Sequence, residues 1–439
     1  MKLDDLGDWR RTHLSGEITG SLAGKDVIVM GRVGDVRDLG GIKFFILSDI
    51  SGSIQITAPK AKTDKKTLSK LDSLTQESSV AVKGKVVRAK QAPRGIEVVP
   101  SEIRVLNLAA VPLPLDPRGR IKANLDTRLD ARGLDLRRAE SLAIFKIRHQ
   151  ALQSIREYLI SQGFIEVNTP KIVATATESG AALFPISYFE REAFLSQSPQ
   201  LYKEVLTGAF ERVFEVGPIF RAEEHDTPRH LNEATSIDIE VAYATAEDVM
   251  DILEKLTHHA FIQVKRKCAG ELRVLKHKLD IPKTPFPRVP YDDALKKLER
   301  AGVKVPWGED LPTPAEKKLG EIMGGAFFVV DWPAKIKPFY TTLKPGSPKL
   351  SESFDLMHGE IELASGSTRI HQHELLVKRL KEKGLNPESF ESHLLSYKYG
   401  LPPHSGWGLG LDRLTMVLTG LDNIRETVLF PRDRRRLVP

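Results

Sequence analysis

The sequence predicts an α+β protein in which an N-terminal five-stranded barrel of the OB type precedes a larger domain built on an antiparallel sheet. Short β-rich runs fill the first 110 residues, a proline-rich segment follows, and strand-like runs separated by helical stretches occupy the rest. At 439 residues the chain is too long for one ordinary hydrophobic core, which favours more than one domain.

The barrel is predicted from runs rich in β-branched and aromatic residues, with turn-forming residues near their ends. Five such runs and one helix-like stretch at 65–74 are typical of a small closed barrel. The runs are 26–31, 43–47, 52–57, 79–84 and 96–99.

A stiff connector is predicted at 111–120, where Pro112, Pro114 and Pro117 disfavour regular structure. We therefore expect a first domain at 1–110, a linker or hinge at 111–135 and a second domain at 136–439.

The second domain alternates strand-like and helical patterns. Strands that return after long helical excursions, with few βαβ spacings, favour an antiparallel sheet with helices against it. The predicted strands are 212–216, 219–223, 237–242, 327–331, 354–358 and 361–363, and the predicted helices are 138–162, 246–267, 291–301 and 375–383.

Composition limits the class of protein. Hydrophobic residues make up 41% and charged residues 28%, as in soluble globular proteins. No apolar run reaches the roughly 18 residues that a membrane span needs, and the polar start lacks a signal-peptide pattern, so we expect a cytoplasmic protein without a membrane partner. The single cysteine, Cys268, excludes a disulfide within the chain. The net charge of +7 fits a polyanionic partner, but equally a mildly basic surface.

An acidic hairpin is predicted at 354–362. A two-residue turn at His358-Gly359 would place Asp355 directly opposite Glu362. Facing carboxylates repel each other unless a cation lies between them, and Mg²⁺ is a natural occupant. The alternative is a solvated strand edge that tolerates the pair.

A second charged hairpin is predicted around 220–240. On a strand, Arg221 and Glu223 share one face, and Asp238 shares a face with Glu240 on the returning strand. Arginine suits phosphate because its planar fork binds oxygens in pairs. The alternative is a surface hairpin of screened ion pairs.

The third element is the glycine-alternating run 406–413, which leads into an apolar helix at 414–418. Alternating glycines let the backbone approach a ligand, although buried strands also use them for packing. The chain has neither a Gly-Lys-Ser/Thr phosphate loop nor a Gly-x-Gly-x-x-Gly after a strand.

Together these elements resemble the class II aminoacyl-tRNA synthetases. The segments 163–170, 220–223 and 408–413 are similar to the family's three motifs, in order, and the first of them is the dimer-interface element. An N-terminal OB barrel marks the aspartate, asparagine and lysine subgroup, so the resemblance covers essentially the whole chain. It implies an anticodon-binding first domain, a catalytic second domain, ATP-dependent amino-acid activation, transfer to tRNA and a homodimer.

The segments 196–203 and 367–371 are similar to the amino-acid pocket of aspartate-specific members of the archaeal and eukaryotic type. The resemblance assigns Lys203 and Arg369 to the substrate's side-chain carboxylate, and Glu178 and Asp238 to its ammonium group. Two cations favour aspartate over neutral asparagine, which would leave buried charge unpaired. The resemblance also implies that the pocket includes Gln200, Arg221 and Ser365.

For ATP, the resemblance assigns Arg221 to the α-phosphate and Arg413 to the γ-phosphate. These two arginines are the implied catalytic residues, because they would stabilise negative charge on the phosphates. Mg²⁺ would be held by Asp355, Glu362 and Ser365. An aromatic residue that often stacks on adenine in this family is replaced by Ala234-Thr235. The other implied ATP-binding residues are Glu223, Arg229, His230, Leu231, Glu362 and Gly410.

In the barrel, Phe44 and Gln55 match the family's anticodon-reading positions, although an OB phenylalanine can equally serve the core. In family members that charge tRNA(Asp) and reject tRNA(Asn), a lysine occupies the position of Pro93. Such members often carry an aromatic residue at the position of Gly34. The sequence therefore predicts charging of tRNA(Asp) and also tRNA(Asn), unless Pro93 only shapes a turn. An asparagine-specific or other paralogue and a catalytically inactive paralogue remain alternatives. Lys203 disfavours the first, and the intact set of ATP-binding residues disfavours the second.

Overall fold

The computed structural model describes residues 2–174, 183–223 and 227–439. The chain divides into two compact units, Met1–Asp116 and Pro117–Pro439, and the division falls within the segment expected to be the linker. No helix in the described part of the chain is long and apolar enough to cross a membrane.

The first unit contains a closed barrel with the strand order β1-β2-β3-β5-β4. Its pairs are antiparallel except β3 and β5, and β4 pairs with β1 to close the barrel. This confirms the predicted OB-type barrel. The elements are β1 (Asp26–Asp38), β2 (Ile42–Asp49), β3 (Gly52–Pro59), α1 (Lys65–Asp72), β4 (Ser79–Arg88) and β5 (Ile96–Asn107), with 3-10 turns at Ser15–Glu17 and Gly20–Leu22.

Strand alternation fills the barrel interior. Phe45 and Leu47 of β2 are completely buried, together with Val29 and Val82 from the two strands that close the barrel. Asp64 caps the N-terminus of α1, and its side chain accepts a hydrogen bond from the Thr67 amide at 2.9 Å. It packs Leu71 into the same core.

The second unit contains a sheet whose described strands have the order β12-β13-β16-β17-β18-β11-β10-β6. The strands from β13 to β10 pair antiparallel, as predicted, whereas β12 and β6 join the two edges in parallel. The strands are β6 (Ile165–Glu166), β7 (Ile172–Val173), β8 (Pro185–Tyr188), β9 (Arg191–Leu195), β10 (Arg212–Phe220), β11 (Glu233–Ala242), β12 (Arg288–Pro290), β13 (Ala326–Val330), β14 (Leu343–Lys344), β15 (Ser347–Ser351), β16 (Ser353–His358), β17 (Ile361–Thr368) and β18 (His404–Gly410).

Helices cover this sheet. The long helices α4 and α6 pack their apolar residues against its buried face, and Ile155, Leu253 and Trp407 are completely buried there. The helices are α2 (Leu125–Asp130), α3 (Arg132–Asp135), α4 (Ala139–Ser161), α5 (Gln200–Phe210), α6 (Ala246–Lys267), α7 (Ala269–Val274), α8 (Tyr291–Arg300), α9 (Thr313–Met323), α10 (His373–Glu382), α11 (Glu391–Lys398) and α12 (Leu411–Thr419), with 3-10 turns at Pro387–Phe390 and Ile424–Thr427.

The acidic hairpin forms, but its predicted register is wrong. His358 pairs with Ile361, so the turn is Gly359-Glu360, and Gly359 supplies the positive φ of 54°. An irregularity between Leu356 and Met357 then shifts the pairing again. As a result Asp355 faces Ser365, and Glu362 faces Met357 instead of Asp355.

The strands predicted at 212–216 and 219–223 are one strand, β10, that ends at Phe220. Pro218 is tolerated because β6 pairs with β10 only at Val213 and Phe214, which leaves that edge open beside the proline. Arg221 and Glu223 therefore lie just beyond the strand, so the expectation that they share one strand face is wrong.

Candidate functional site

A cavity of about 430 Å³ lies on the face of the sheet formed by β11, β17 and β18. It brings together most of the residues that the sequence assigned to aspartate and ATP, from segments more than 200 positions apart in the chain. The predicted residues that line it are Gln200, Arg221, Glu223, Arg229, His230, Leu231, Asp238, Glu362, Ser365, Arg369, Gly410 and Arg413.

Two buried cations meet at one end of this cavity. Lys203 of α5 is 2% exposed and Arg369, which follows β17, is 4% exposed. Glu240 of β11 joins them: its Oε2 lies 3.5 Å from Lys203 Nζ, and its Oε1 accepts a hydrogen bond from Arg369 Nε at 2.9 Å. Contact with Glu240 and the nearby negative charge of Glu204 raise the pKa of Arg369 against the effect of burial, so its guanidinium is charged.

Lys203 lies behind the cavity wall and does not line the cavity. Its Nζ donates to Asp238 Oδ1 at 3.0 Å and to the carbonyl oxygen of Trp407 at 3.2 Å. The side chain of Asp238 also accepts a hydrogen bond from Ser236 Oγ at 2.5 Å. The predicted carboxylate-binding lysine and the predicted ammonium-binding aspartate thus form an ion pair with each other.

The opposite end of the cavity is cationic. Arg413, in the first turn of α12, donates from Nη1 to the carbonyl oxygen of Glu362 at 3.0 Å, and Arg221 lines the same cavity. Burial lowers the pKa of His230, and the neighbouring charges of Arg413, Arg221 and Arg229 lower it further. A neutral imidazole beside guanidinium groups suits a purine ring next to phosphates.

Asp412 holds this end of the cavity in place. It is 2% exposed, pairs with Arg148 of α4, and accepts a hydrogen bond from the Thr235 amide at 2.8 Å. The start of α12, which carries Arg413, is thereby fixed to α4 and β11.

The residues expected to hold Mg²⁺ lie near one another despite the changed register. Burial raises the pKa of Glu362, and the negative charge of Asp355 raises it further, so a cation would relieve their repulsion. Asp355 is instead bound by Lys337, whose Nζ donates to its two carboxylate oxygens at 2.8 and 3.0 Å. Two carboxylates and the Ser365 hydroxyl fit Mg²⁺, which proteins commonly hold with one or two carboxylates and substrate phosphates.

Arg229 is engaged by acidic residues at the rim of the cavity. Its Nη2 lies 2.9 Å from Glu360 Oε1, and its Nη1 lies 3.7 Å from Glu316 Oε2. Burial of Glu316 in α9, with the nearby charge of Glu362, raises the pKa of Glu316 to about 7.

The barrel presents two of its three predicted anticodon residues on one outer face. Phe44 is half-buried and pairs with Thr57, whereas the neighbouring Phe45 fills the core, as strand alternation predicted. Gln55 Nε2 donates to Glu97 Oε2 at 3.1 Å on the same face.

Pro93 is exposed in the 89–95 loop. This loop is pinned to the barrel by Arg94, whose guanidinium donates to the carbonyl oxygens of Ser15, Gly16, Ile18 and Ser53 at 2.8–3.2 Å.

Glu178, predicted to bind the ammonium group, lies outside the described residues. Several residues that shape the pocket were not assigned from sequence. Alternation along β11 was the signal for Glu240, since it shares a face with Asp238. No pattern in the sequence pointed to Lys337, or to Glu204, which lies on the unpredicted helix α5.

Comparisons with known proteins agree with this geometry. Residues 124–434 match the family of tRNA synthetases class II (D, K and N), and residues 27–106 match the OB-fold nucleic acid binding domain. The chain is 54% identical to an aspartate–tRNA(Asp/Asn) ligase of Methanothermobacter thermautotrophicus over 99% of this chain and 100% of that protein. It is also 54% identical to the ligase of the same name from Methanocaldococcus jannaschii, over 98% of this chain and 99% of that protein.

Solved structures give the same result. The fold is similar to asparaginyl-tRNA synthetase of Pyrococcus horikoshii complexed with asparaginyl-adenylate, with a TM-score of 0.92 and 34% identity over 98% of this chain and 100% of that chain. It is also similar to aspartyl-tRNA synthetase of Entamoeba histolytica, with a TM-score of 0.87 and 32% identity over 100% and 96% of the two chains. With the predicted ATP and amino-acid residues around one cavity, the chain belongs to the class II tRNA synthetase family of the aspartate, lysine and asparagine type.

Proposed function

We propose that this chain activates L-aspartate with ATP to form aspartyl-adenylate, and then transfers the aspartyl group to the 3′ end of tRNA(Asp). The observation that carries the proposal is the convergence of Lys203 and Arg369 on Glu240 beside the cavity. A pair of buried cations suits a substrate with a negatively charged side chain.

The ion pairs around Lys203 indicate how aspartate would bind. In the structure, Lys203 is paired with Asp238. A zwitterionic aspartate offers each of them a new partner: its ammonium group can pair with Asp238, and its side-chain carboxylate with Lys203 and Arg369. Asparagine has a neutral amide in place of the side-chain carboxylate, and would leave both cations without a new anion from the side chain. Gln200, Ser365 and Glu178 complete the proposed substrate contacts.

ATP would occupy the other end of the cavity, with the adenine between His230 and Arg413. The α-carboxylate oxygen of aspartate attacks the α-phosphorus, and the bond to pyrophosphate breaks. The terminal ribose hydroxyl of tRNA then attacks the carbonyl carbon and releases AMP. Arg221 and Arg413 would stabilise negative charge on the phosphates, while Glu223, Arg229, Leu231 and Gly410 position the nucleotide.

Asp355, Glu362 and Ser365 would hold Mg²⁺, which supplies positive charge to the phosphate oxygens when bound. Because Lys337 pairs with Asp355 in the structure, the metal has to compete with this lysine for the carboxylate.

We further propose that the barrel reads the anticodon through Phe44, Gln55 and Pro93, and that tRNA(Asn) is a second acceptor. Both substrates, ATP and tRNA, are cytoplasmic, which supports a cytoplasmic location.

A homodimer through 163–170 is supported by apolar side chains exposed around that segment: Ile160 is 59%, Ile165 46% and Ile172 49% exposed. Light scattering that finds a fully active monomer would contradict the dimer.

The deciding experiment is ATP–pyrophosphate exchange with aspartate, asparagine and lysine as separate substrates. We expect exchange with aspartate and little with the other two. The second candidate function, asparagine activation, is raised by the similarity to the asparagine-specific enzyme of Pyrococcus horikoshii. Exchange that depends on asparagine and not on aspartate would establish that alternative. If none of the three amino acids supports exchange, the chain is an inactive paralogue.

A further inference from the structure

We propose that Glu204 is a positioning residue for the aspartate pocket, because it fixes the orientation of the Gln200 amide and thereby the guanidinium of Arg369. The inference rests on the proposed aspartate activation and adds a second layer of residues behind the pocket. Glu204 lies on α5, next to Lys203, and is completely buried.

The carboxylate of Glu204 lies against three polar side chains. Its Oε1 accepts a hydrogen bond from Gln200 Nε2 at 2.6 Å, one helical turn earlier on α5. Its Oε2 accepts a hydrogen bond from the Tyr397 hydroxyl at 2.6 Å, and His393 Nε2 lies 3.2 Å from the same oxygen. Because Tyr397 and His393 belong to α11, Glu204 connects α11 to the pocket.

The chemistry of these groups decides which way the Gln200 amide points. An ionised carboxylate only accepts hydrogen bonds, so the NH₂ end of the amide has to face Glu204. The carbonyl end of Gln200 then faces Arg369, and the distance from Arg369 Nη2 to Gln200 Oε1 is 3.4 Å. If Glu204 were an amide, either end of Gln200 could face it, and the NH₂ end could turn towards the guanidinium.

The surroundings keep Glu204 ionised. Burial by itself would raise the pKa of Glu204, but contact with His393 and the nearby side chains of His404 and Arg369 lower it to about 2. The carboxylate of Glu204 is therefore ionised near neutral pH.

Arg369 is consequently held on three sides. Glu240 accepts from its Nε at 2.9 Å and from its Nη2 at 3.4 Å, Ser367 Oγ accepts from Nη1 at 2.6 Å, and Gln200 Oε1 also accepts from Nη2 at 3.4 Å. The contact with Gln200 is the one that depends on a neutral amide, and Glu204 sets the polarity of that amide. The orientation of Arg369 towards a substrate carboxylate thus depends on a residue that does not line the cavity.

The test is ATP–pyrophosphate exchange by the full chain carrying Glu204→Gln, which keeps the shape and removes the charge. We expect the KM for aspartate to rise about tenfold or more while the KM for ATP changes less than about twofold. In a Gln200→Ala background, Glu204→Gln should change the KM for aspartate by less than about twofold. Glu204 acts through the Gln200 amide, so the effects of the two substitutions are not additive.

A matched control is Glu254→Gln. Glu254 is also a buried carboxylate, and it accepts a hydrogen bond from the Phe286 amide at 2.8 Å, but it does not line the cavity. This variant should leave both KM values unchanged, although it lowers stability. An unchanged KM for aspartate in Glu204→Gln overturns the proposal, and so does an effect that persists fully in the Gln200→Ala background.

If Glu204→Gln does not fold, Tyr397→Phe tests the same connection. Losing the hydroxyl that holds Glu204 Oε2 should raise the KM for aspartate about threefold, and only when Gln200 is present. No change, or an equal change without Gln200, overturns the proposal. Failure of the parent chain to catalyse aspartate-dependent exchange would instead contradict the proposed function, so the two failures are distinguishable.

Discussion

Gly406 of β18 lies directly opposite Glu240 of β11, and the missing side chain of the glycine is the space that the Glu240 carboxylate fills. A Cβ atom at position 406 would overlap Oε2 and Cδ of Glu240 and the carbonyl oxygen of Ile239. The alternating glycines of β18 therefore serve the pocket here, because they admit the carboxylate that joins Lys203 to Arg369.

The variant Gly406→Ala should therefore displace Glu240 and disturb both cations. We expect the KM for aspartate to rise about tenfold, with a stability loss of about 1–3 kcal/mol from overpacking. Pyrophosphate exchange and thermal unfolding measure the two effects. Gly270→Ala is the control, because a Cβ at Gly270 in α7 meets no atom within 4 Å. Equal KM values in the two variants would show that Glu240 can move without consequence.

Replacing Lys203 by methionine should abolish aspartate activation while ATP binding is retained. The substitution takes a buried cation away from Asp238 and Glu240, although Arg369 still pairs with Glu240. Losing one partner of a buried pair typically costs about 3–5 kcal/mol. Exchange kinetics and ATP titration are the measurements. Lys70→Met is a suitable control, since Lys70 pairs with Asp4 at 2.7 Å in the barrel, which exchange does not require. An unchanged kcat/KM for aspartate would refute the role of Lys203.

Asp355→Asn should raise the Mg²⁺ concentration needed for half-maximal exchange about tenfold or more, because one of two anionic ligands is lost. Direct Mg²⁺ titration by calorimetry should show the same weakening. Asp331→Asn is the matched control: Asp331 also pairs with a lysine, Lys344 at 2.6 Å, but it is not one of the residues proposed to hold Mg²⁺. A variant that titrates with Mg²⁺ like the parent would show that Asp355 serves only to pair with Lys337.

Glu316 should make the protein less stable as the pH rises. Its pKa is raised from 4.5 to about 7 by burial and by Glu362, so the folded chain keeps a proton that the unfolded chain loses. Stability then falls between about pH 4.5 and 7, and Glu316→Gln, which cannot ionise, should be more stable than the parent by about 1–3 kcal/mol at pH 8.

At pH 5 the difference between Glu316→Gln and the parent should fall to roughly a quarter of its value at pH 8, as measured by thermal unfolding at both pH values. Glu321→Gln, on the same helix but 53% exposed, should show no such dependence. An equal difference at pH 5 and pH 8 would mean that Glu316 does not titrate in this range.

The parent chain should charge tRNA(Asp) and tRNA(Asn) with a preference below about a hundredfold, roughly 2.7 kcal/mol. Pro93 offers no hydrogen-bond donor, and Gly34, at the β-bulge of β1, offers no ring to fix a base. Pro93→Lys should increase the preference for tRNA(Asp), while exchange without tRNA stays unchanged as the internal control. A larger preference in the parent would mean that another residue reads the third anticodon base.

The barrel and the main helices follow from local patterns. Alternation places Phe45 inside and Phe44 outside, and the period of Ala246–Lys267 matches α6 at both ends. The register of the β16–β17 hairpin could not be predicted from local patterns. It depends on the position of Gly359 in the turn, where it adopts a positive φ, and on the pairing irregularity between Leu356 and Met357, which no short pattern marks.

The predicted site residues came largely from motifs, and those motifs converge on one cavity. Glu204 and Lys337 were missed because their importance arises from contacts across the fold. Lys337 meets Asp355 from a segment without a recognisable pattern, and Glu204 depends on Tyr397, nearly 200 positions later. A single sequence does not encode such pairings in any local spacing.

The charges around the aspartate pocket have a consequence for redesign and for divergence of substrate choice. Lys203 and Arg369 are matched by Asp238, Glu240 and Glu204, so positive and negative groups are interdependent. To make the pocket accept a neutral substrate, replacing Lys203 alone is not sufficient. The resulting variant would carry a buried carboxylate without its cation. Concerted replacement of a cation with its acidic partner is the accessible route, and related enzymes with different substrates should differ at these positions in pairs.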